Sequence, residues 1–173
     1  MRFTLIDRII ELEPGSRITA TKSLTLGEEY LLDHFPHFPV MPGVLMLEAM
    51  TQAGAWLVRA SEDFAHSMVV LKQASNVKYA QFVEPGQTLT VTAEIVNQNE
   101  HETKLKTAGR INDQVTVSAR LVLARYNLAD TNPGRAATDY TLVQEMRSLL
   151  RLLYRGQPVA AVSAGAMNGH PHG

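Results

Sequence analysis

The chain contains no cysteine, which removes disulfides, thiolate metal sites and a cysteine nucleophile together. It also lacks an excess of either charge. A formal net charge of -1 gives no general electrostatic reason to expect a nucleic-acid partner. No stretch reaches the roughly 18 consecutive apolar residues of a membrane helix. Residues 1–15 hold no apolar signal-peptide core, because Arg2, Asp7, Arg8 and Glu11 interrupt them. A soluble, cytoplasmic protein with no membrane span is therefore expected. Neither a G-x-S-x-G elbow nor a glycine-rich phosphate loop occurs, and no internal repeat is visible.

What is present is enough for one domain with an appendage: 173 residues, 45% of them apolar. The chain is organised around residues 33–52, which open as a proline-rich loop carrying His34 and His37 and turn at Pro42-Gly43. From there an almost unbroken apolar run continues to Val58. This run predicts a helix over 43–60, hydrophobic all round and hence inside a core. Its polar exceptions, Glu48 and Gln52, are four residues apart and share a face. No Ser, Thr or Asp side chain precedes the helix, so its first N–H groups are left for another partner.

Around this helix the sequence predicts strands. The apolar run 9–12 reads as strand or helix and ends at Pro14-Gly15. Residues 17–24 read as a strand, 27–32 as one helical turn, and 68–71 as the start of a buried strand. The clearest alternation follows Pro85-Gly86: Leu89, Val91, Ala93 and Ile95 point one way, and threonines and Glu94 the other. Leu105, Thr107, Gly109 and Ile111 repeat the pattern, as do Val115, Val117, Ala119, Leu121 and Leu123. Short turns near 97–100 and at Asn112-Asp113 make these strands antiparallel neighbours. Small residues Ala49, Ala53, Gly54 and Ala55 on the helix let strands approach it. The expected architecture is α+β, an antiparallel sheet wrapped around one long central helix over residues 1–126. A linker at 127–138, an amphipathic C-terminal helix within 139–155 and a disordered tail over 156–173 complete the expectation; packing of that helix on its own domain is favoured over a membrane-surface or partner-binding role.

His34 and Glu48 are the candidate chemistry. A histidine, with an ordinary pKa of about 6.5, accepts protons readily, and a carboxyl group in an apolar site can remain protonated and act as an acid. Together they could move one proton off a carbon and deliver one to a leaving group, with the Gly43 N–H at the positive helix end stabilising enolate-like charge. The plainer alternative is a solvated loop histidine and a carboxylate paired with some basic residue. A metal site from His34, His37 and Glu48, with His170 and His172 as stray donors, lacks suggestive spacing. Arg59, Lys72 and Lys78 read as surface charge, one of which could meet an acidic carrier protein.

The run His34-Phe35-Pro36, two residues, Pro39-Val40-Met41-Pro42-Gly43-Val44-Leu45, two residues, Glu48-Ala49-Met50, one residue, Gln52 resembles the active-site segment of the 3-hydroxyacyl-[acyl-carrier-protein] dehydratases of type II fatty acid synthesis. Asp7-Arg8-Ile9 and Phe82-Val83-Glu84-Pro85-Gly86 extend the likeness over about residues 5–126. The resemblance implies a hotdog fold and dehydration of a (3R)-3-hydroxyacyl thioester to the trans-2-enoyl thioester. It implies that His34 takes the C2 proton and Glu48 protonates the departing hydroxyl, while the Gly43 amide holds the carbonyl and Gln52 orients Glu48. Val44 and Phe35 would contact substrate. No metal or other cofactor is implied. The implied partners are acyl carrier protein, delivering the acyl chain on its phosphopantetheine arm, and a second copy of the chain, in a homodimer or a trimer of dimers with the site between subunits. Two positions depart from the family pattern: Asp33 and His37 stand where glycine is usual, which bears on the loop's conformation. A hotdog acyl thioesterase and a non-catalytic acyl-binding subunit are the alternatives.

Overall fold

The computed structural model describes residues 3–35 and 37–155. Six strands form one antiparallel sheet: β1 (Arg8–Glu13), β2 (Arg17–Ser23), β3 (Met68–Tyr79), β4 (Thr88–Gln98), β5 (Glu102–Ile111) and β6 (Gln114–Tyr126), in the order β1-β2-β4-β5-β6-β3. Three helices accompany them: α1 (Tyr30–Asp33), α2 (Gly43–Ser61) and α3 (Ala136–Leu153). The ambiguous apolar run near the start is a strand, β1, because it pairs with β2.

The sheet curls around α2, which meets all six strands. The alternation expected for β4 and β5 is the observed inward face, with Leu89, Val91, Ala93, Leu105, Thr107 and Ile111 buried. On β6, Val117, Ala119, Leu121 and Leu123 are buried, whereas Val115 is 42% exposed. Val115 sits beside the β5–β6 hairpin turn, past the reach of α2. Both turn residues, Asn112 and Asp113, have positive φ, +48° and +66°. That is the backbone a two-residue hairpin needs to match strand twist.

Close approach of α2 to the sheet depends on Gly54. A Cβ there would lie 2.5 Å from Leu105 Cδ1 and 3.4 Å from Leu123 Cδ1, so a larger residue would push α2 off β5. Ala49, Ala53 and Ala55 are buried beside it. The end of α2 is tied to the sheet by polar contacts. Glu62 pairs with the buried Arg125 guanidinium of β6, and it accepts from Gln98 Nε2 at 2.6 Å.

Two regions differ from expectation. The strand beginning at Met68 is not a buried one: only Val69 on β3 is buried. As the last strand of the sheet, β3 pairs with β6 alone. The stretch expected to be a linker folds as two short 3-10 turns, Leu128–Asp130 and Pro133–Arg135. The first is closed by a capping box between Asn127 and Asp130, and the second by the Asn132 side chain. The expected C-terminal helix is α3, packed on its own domain through Val143, Met146, Leu149, Leu150 and Leu153. The tail expected to be disordered, with His170 and His172, lies outside the described residues. Among the described residues no helix is long and apolar enough to cross a membrane.

Candidate active site

α2 carries Glu48 and Gln52 on a face that meets residues 3–5 and a cavity edged by Val69, Val70 and Leu71 of β3. Glu48 is half-buried, less enclosed than an all-apolar helix led one to expect, because it opens on a cavity. Its carboxylate is nevertheless held. Gln52 Nε2 donates to Glu48 Oε1 at 2.9 Å and to the Phe3 carbonyl at 3.1 Å, and Gln52 Oε1 accepts the Leu5 amide at 2.8 Å. Fixed by two backbone groups, Gln52 can present its N–H to Glu48 in one orientation. Glu48 and Gln52 line a cavity of about 430 Å³ together with Trp56 and Arg59. Residues 48, 52, 56 and 59 form one helical stripe.

Arg59 is not the surface charge that the sequence suggested. Its guanidinium lies 5.6 Å from the Trp56 ring centroid, and burial pulls its pKa down to about 10. Lys72 does behave as surface charge, pairing with Glu102 of β5 across the intervening β6.

His34 follows α1 and donates its backbone N–H to the Tyr30 carbonyl at 3.2 Å. Its ring lies 4.5 Å from that of Phe35. The expected consequence of losing two glycines in this loop falls elsewhere than anticipated. Asp33 is the last residue of α1, and the left-handed residue is Phe35, at φ +50°. A non-glycine residue held there costs on the order of 1–3 kcal/mol, which the surrounding loop must offset.

His34 and Phe35 line a second cavity, of about 330 Å³, with Gly43, Met46 and Tyr79. Gly43 opens α2 behind Pro42, and no side chain caps this helix end. A Cβ on Gly43 would meet Tyr79 Cε1 at 3.0 Å, so glycine lets the Tyr79 ring pack against the start of α2. Val44 is 70% exposed and lines neither cavity. Within one chain, then, His34 and Gly43 open on one cavity, and Glu48 and Gln52 on another. Among the described residues no group of three His, Cys, Asp or Glu side chains could hold a metal ion.

Several lining residues escaped the sequence reading. Trp56 was signalled by its i+4 spacing from Gln52, and the sheltered place of Arg59 by its i+3 spacing from Trp56. Tyr79 had no signal, since its position depends on how the end of β3 passes the start of α2.

A curled antiparallel sheet around a single long helix defines the hotdog class. The dehydratase heterocomplex ApeI:P from Xenorhabdus doucetiae has this fold, with a TM-score of 0.61 at 17% identity, over 73% of this chain and 85% of that one. So does an acetyl-CoA-bound protein from Streptococcus mutans, with a TM-score of 0.55 at 15% identity, over 72% of this chain and 91% of that one. The FabA-like domain family matches residues 1–122. A 3-hydroxyacyl-[acyl-carrier-protein] dehydratase FabZ from Dechloromonas aromatica is 39% identical over 129 residues, covering 73% of this chain and 90% of the relative. The FabZ of Variovorax paradoxus is 38% identical over 125 residues, covering 70% and 83%. The chain belongs to this FabA-like family of 3-hydroxyacyl-[acyl-carrier-protein] dehydratases.

Proposed function

We propose that the chain dehydrates (3R)-3-hydroxyacyl-[acyl-carrier-protein] to trans-2-enoyl-[acyl-carrier-protein] in fatty acid biosynthesis, with His34 as base and Glu48 as acid. His34 takes the proton from C2 of the thioester. The electron pair of that C–H bond forms the C2–C3 double bond, the C3–O bond breaks, and Glu48 protonates the departing hydroxyl so that it leaves as water. The Gly43 amide, at the positive end of α2, donates to the thioester carbonyl while charge builds on its oxygen. Gln52 holds Glu48, and Phe35 flanks the reacting end of the chain. Acyl carrier protein supplies the substrate on its phosphopantetheine arm.

The observation that carries this reading is the Glu48 carboxylate fixed by Gln52 in the lining of a largely apolar cavity, in a chain whose relatives are dehydratases. The separation of His34 and Glu48 into different cavities favours a site completed by a second copy, the His34 loop of one meeting the α2 face of the other. The unpaired edge of β3 gives that copy a place to add.

The test is the ultraviolet band of the 2-enoyl thioester when the protein is mixed with crotonyl-[acyl-carrier-protein] or crotonyl pantetheine. Hydration removes the band without releasing thiol, and His34→Ala and Glu48→Gln should each slow this by at least about 10²-fold at unchanged thermal stability. Release of free thiol would instead mean thioester hydrolysis, and near-wild-type turnover in either variant would refute the assigned roles.

A further inference from the structure

One wall of the Glu48 cavity is built by an element outside the family match. That match ends at residue 122 and α3 begins at Ala136, yet Met146 and Leu149 of α3 line the same cavity as Glu48 and Gln52. The facing wall is the stripe of α2 that continues past Gln52 through Ala55 and Trp56 to Arg59. At 1.5 Å per residue, that stripe advances about 16 Å beyond Glu48. The lining therefore changes along the stripe, from the carboxylate and amide of Glu48 and Gln52, through Ala55 and Trp56 with Met146 and Leu149 beside them, to the Arg59 guanidinium. A volume of about 430 Å³ is in the range of small-molecule sites.

α3 owes its position to contacts away from that cavity. The buried Asp139 carboxylate accepts from the Ser67 hydroxyl and from the Leu128 and Ala129 amides, the last two at 2.9 and 2.8 Å. Arg147 donates to Asp63 Oδ1 at 2.8 Å, and its guanidinium lies 4.7 Å from the Phe64 ring centroid. Leu153 is buried at the far end of the helix. None of these anchoring residues lines the cavity, so Met146 and Leu149 are set in place whatever the cavity contains.

We propose that α3 is the acyl-chain gauge of this dehydratase, with Met146 and Leu149 forming the wall against which the distal carbons of the substrate pack. The proposal rests on the reading of Glu48 as the acid of the reaction, because that residue fixes where the reacting carbons lie. A short acyl group ends before the α3 wall and is indifferent to it; a long one must share its space. Discrimination by one methylene in an apolar pocket amounts to about 10- to 200-fold. The unbranched Met146 side chain can adjust to neighbouring chain ends, while Leu149 is the stiffer boundary.

The experiment compares hydration of crotonyl and trans-2-decenoyl pantetheine by the full chain and by the variants Leu149→Phe, Met146→Phe and Met146→Ala. The phenylalanine variants should lower the decenoyl-to-crotonyl ratio of kcat/KM at least about tenfold. Met146→Ala should raise the decenoyl-to-crotonyl ratio by a similar factor. The ratio is independent of how much protein is folded, so partial misfolding cannot mimic the result. An unchanged ratio in all three variants, or rates that fall in parallel, would overturn the gauge while leaving the dehydratase reading intact. A wild-type chain that hydrates neither substrate would overturn the dehydratase reading and the gauge with it.

Discussion

α2 and α3 are nearly the same length, 19 and 18 residues, and they are held in opposite ways. Ten residues of α2 are buried, against two of α3, Asp139 and Leu153. α2 is fixed by apolar contact with every strand, so its orientation is a property of the whole core. α3 lies on the outside and is fixed by one carboxylate, one arginine and a narrow apolar stripe. The difference separates stability from tuning. The element that carries Glu48 cannot move without disturbing the core, whereas the element facing Glu48 across its cavity can be changed or displaced with the core intact.

The strongest way to break the α2 side of this contrast is Gly54→Val. Its new side chain would overlap Leu105, and overpacking of this kind costs about 1–3 kcal/mol. Chemical denaturation should show that loss, and an unchanged midpoint would mean that α2 is less tightly seated than its contacts imply. Next in size is Gln52→Ala, which frees the Glu48 carboxylate and the Phe3 and Leu5 backbone groups together. Its kcat should fall about tenfold, or about 1.4 kcal/mol, with KM little changed. A fall confined to KM would show that Gln52 contacts substrate instead of positioning Glu48.

The smallest expected effect lies on α3. Burial alone would push the Asp139 carboxyl up, but the Ser67 hydroxyl and the Leu128 and Ala129 amides outweigh it and hold the group below its ordinary value of 3.8. A pKa lowered by folding means that this anchor stabilises the protein above pH 3.8 and is lost as the pH falls through the lower folded value. Asp139→Asn should remove that acid dependence. It should also raise hydrogen exchange in α3 at neutral pH while leaving β4, β5 and β6 protected. Exchange rising equally in both regions would make α3 part of the core's cooperative unit.

Much of this arrangement was legible in the sequence, for reasons that differ by element. β4, β5 and β6 alternate, apart from the start of β6 at Val115, because one face meets α2 and the other meets water, and α2 could be recognised because a helix apolar on all sides has to be enclosed. The peripheral position of β3 was not legible, since a strand's place in the sheet depends on pairing partners far away in sequence. The same holds for the cavity. His34, Glu48 and Gln52 stood out as polar residues in an apolar segment, but Tyr79, Met146 and Leu149 reach the two cavities only through tertiary packing. Arg59 was misread because a charge on a helix is ordinarily solvated, although Trp56, three residues earlier on the same stripe, sets a ring beside it.

The central claim, that His34 of one copy works with Glu48 of another, is tested most directly by mixing two inactive variants. Purified His34→Ala and Glu48→Gln chains, each silent on crotonyl pantetheine, would be combined under conditions where subunit exchange is verified. Mixed dimers then contain one site with both groups intact and one with neither. The account predicts recovery of about a quarter of the wild-type rate at equal mixing, since half of the dimers are mixed and each keeps one good site. A mixture that remains as inactive as its components, after exchange is complete, would contradict it and put both residues to work within a single chain.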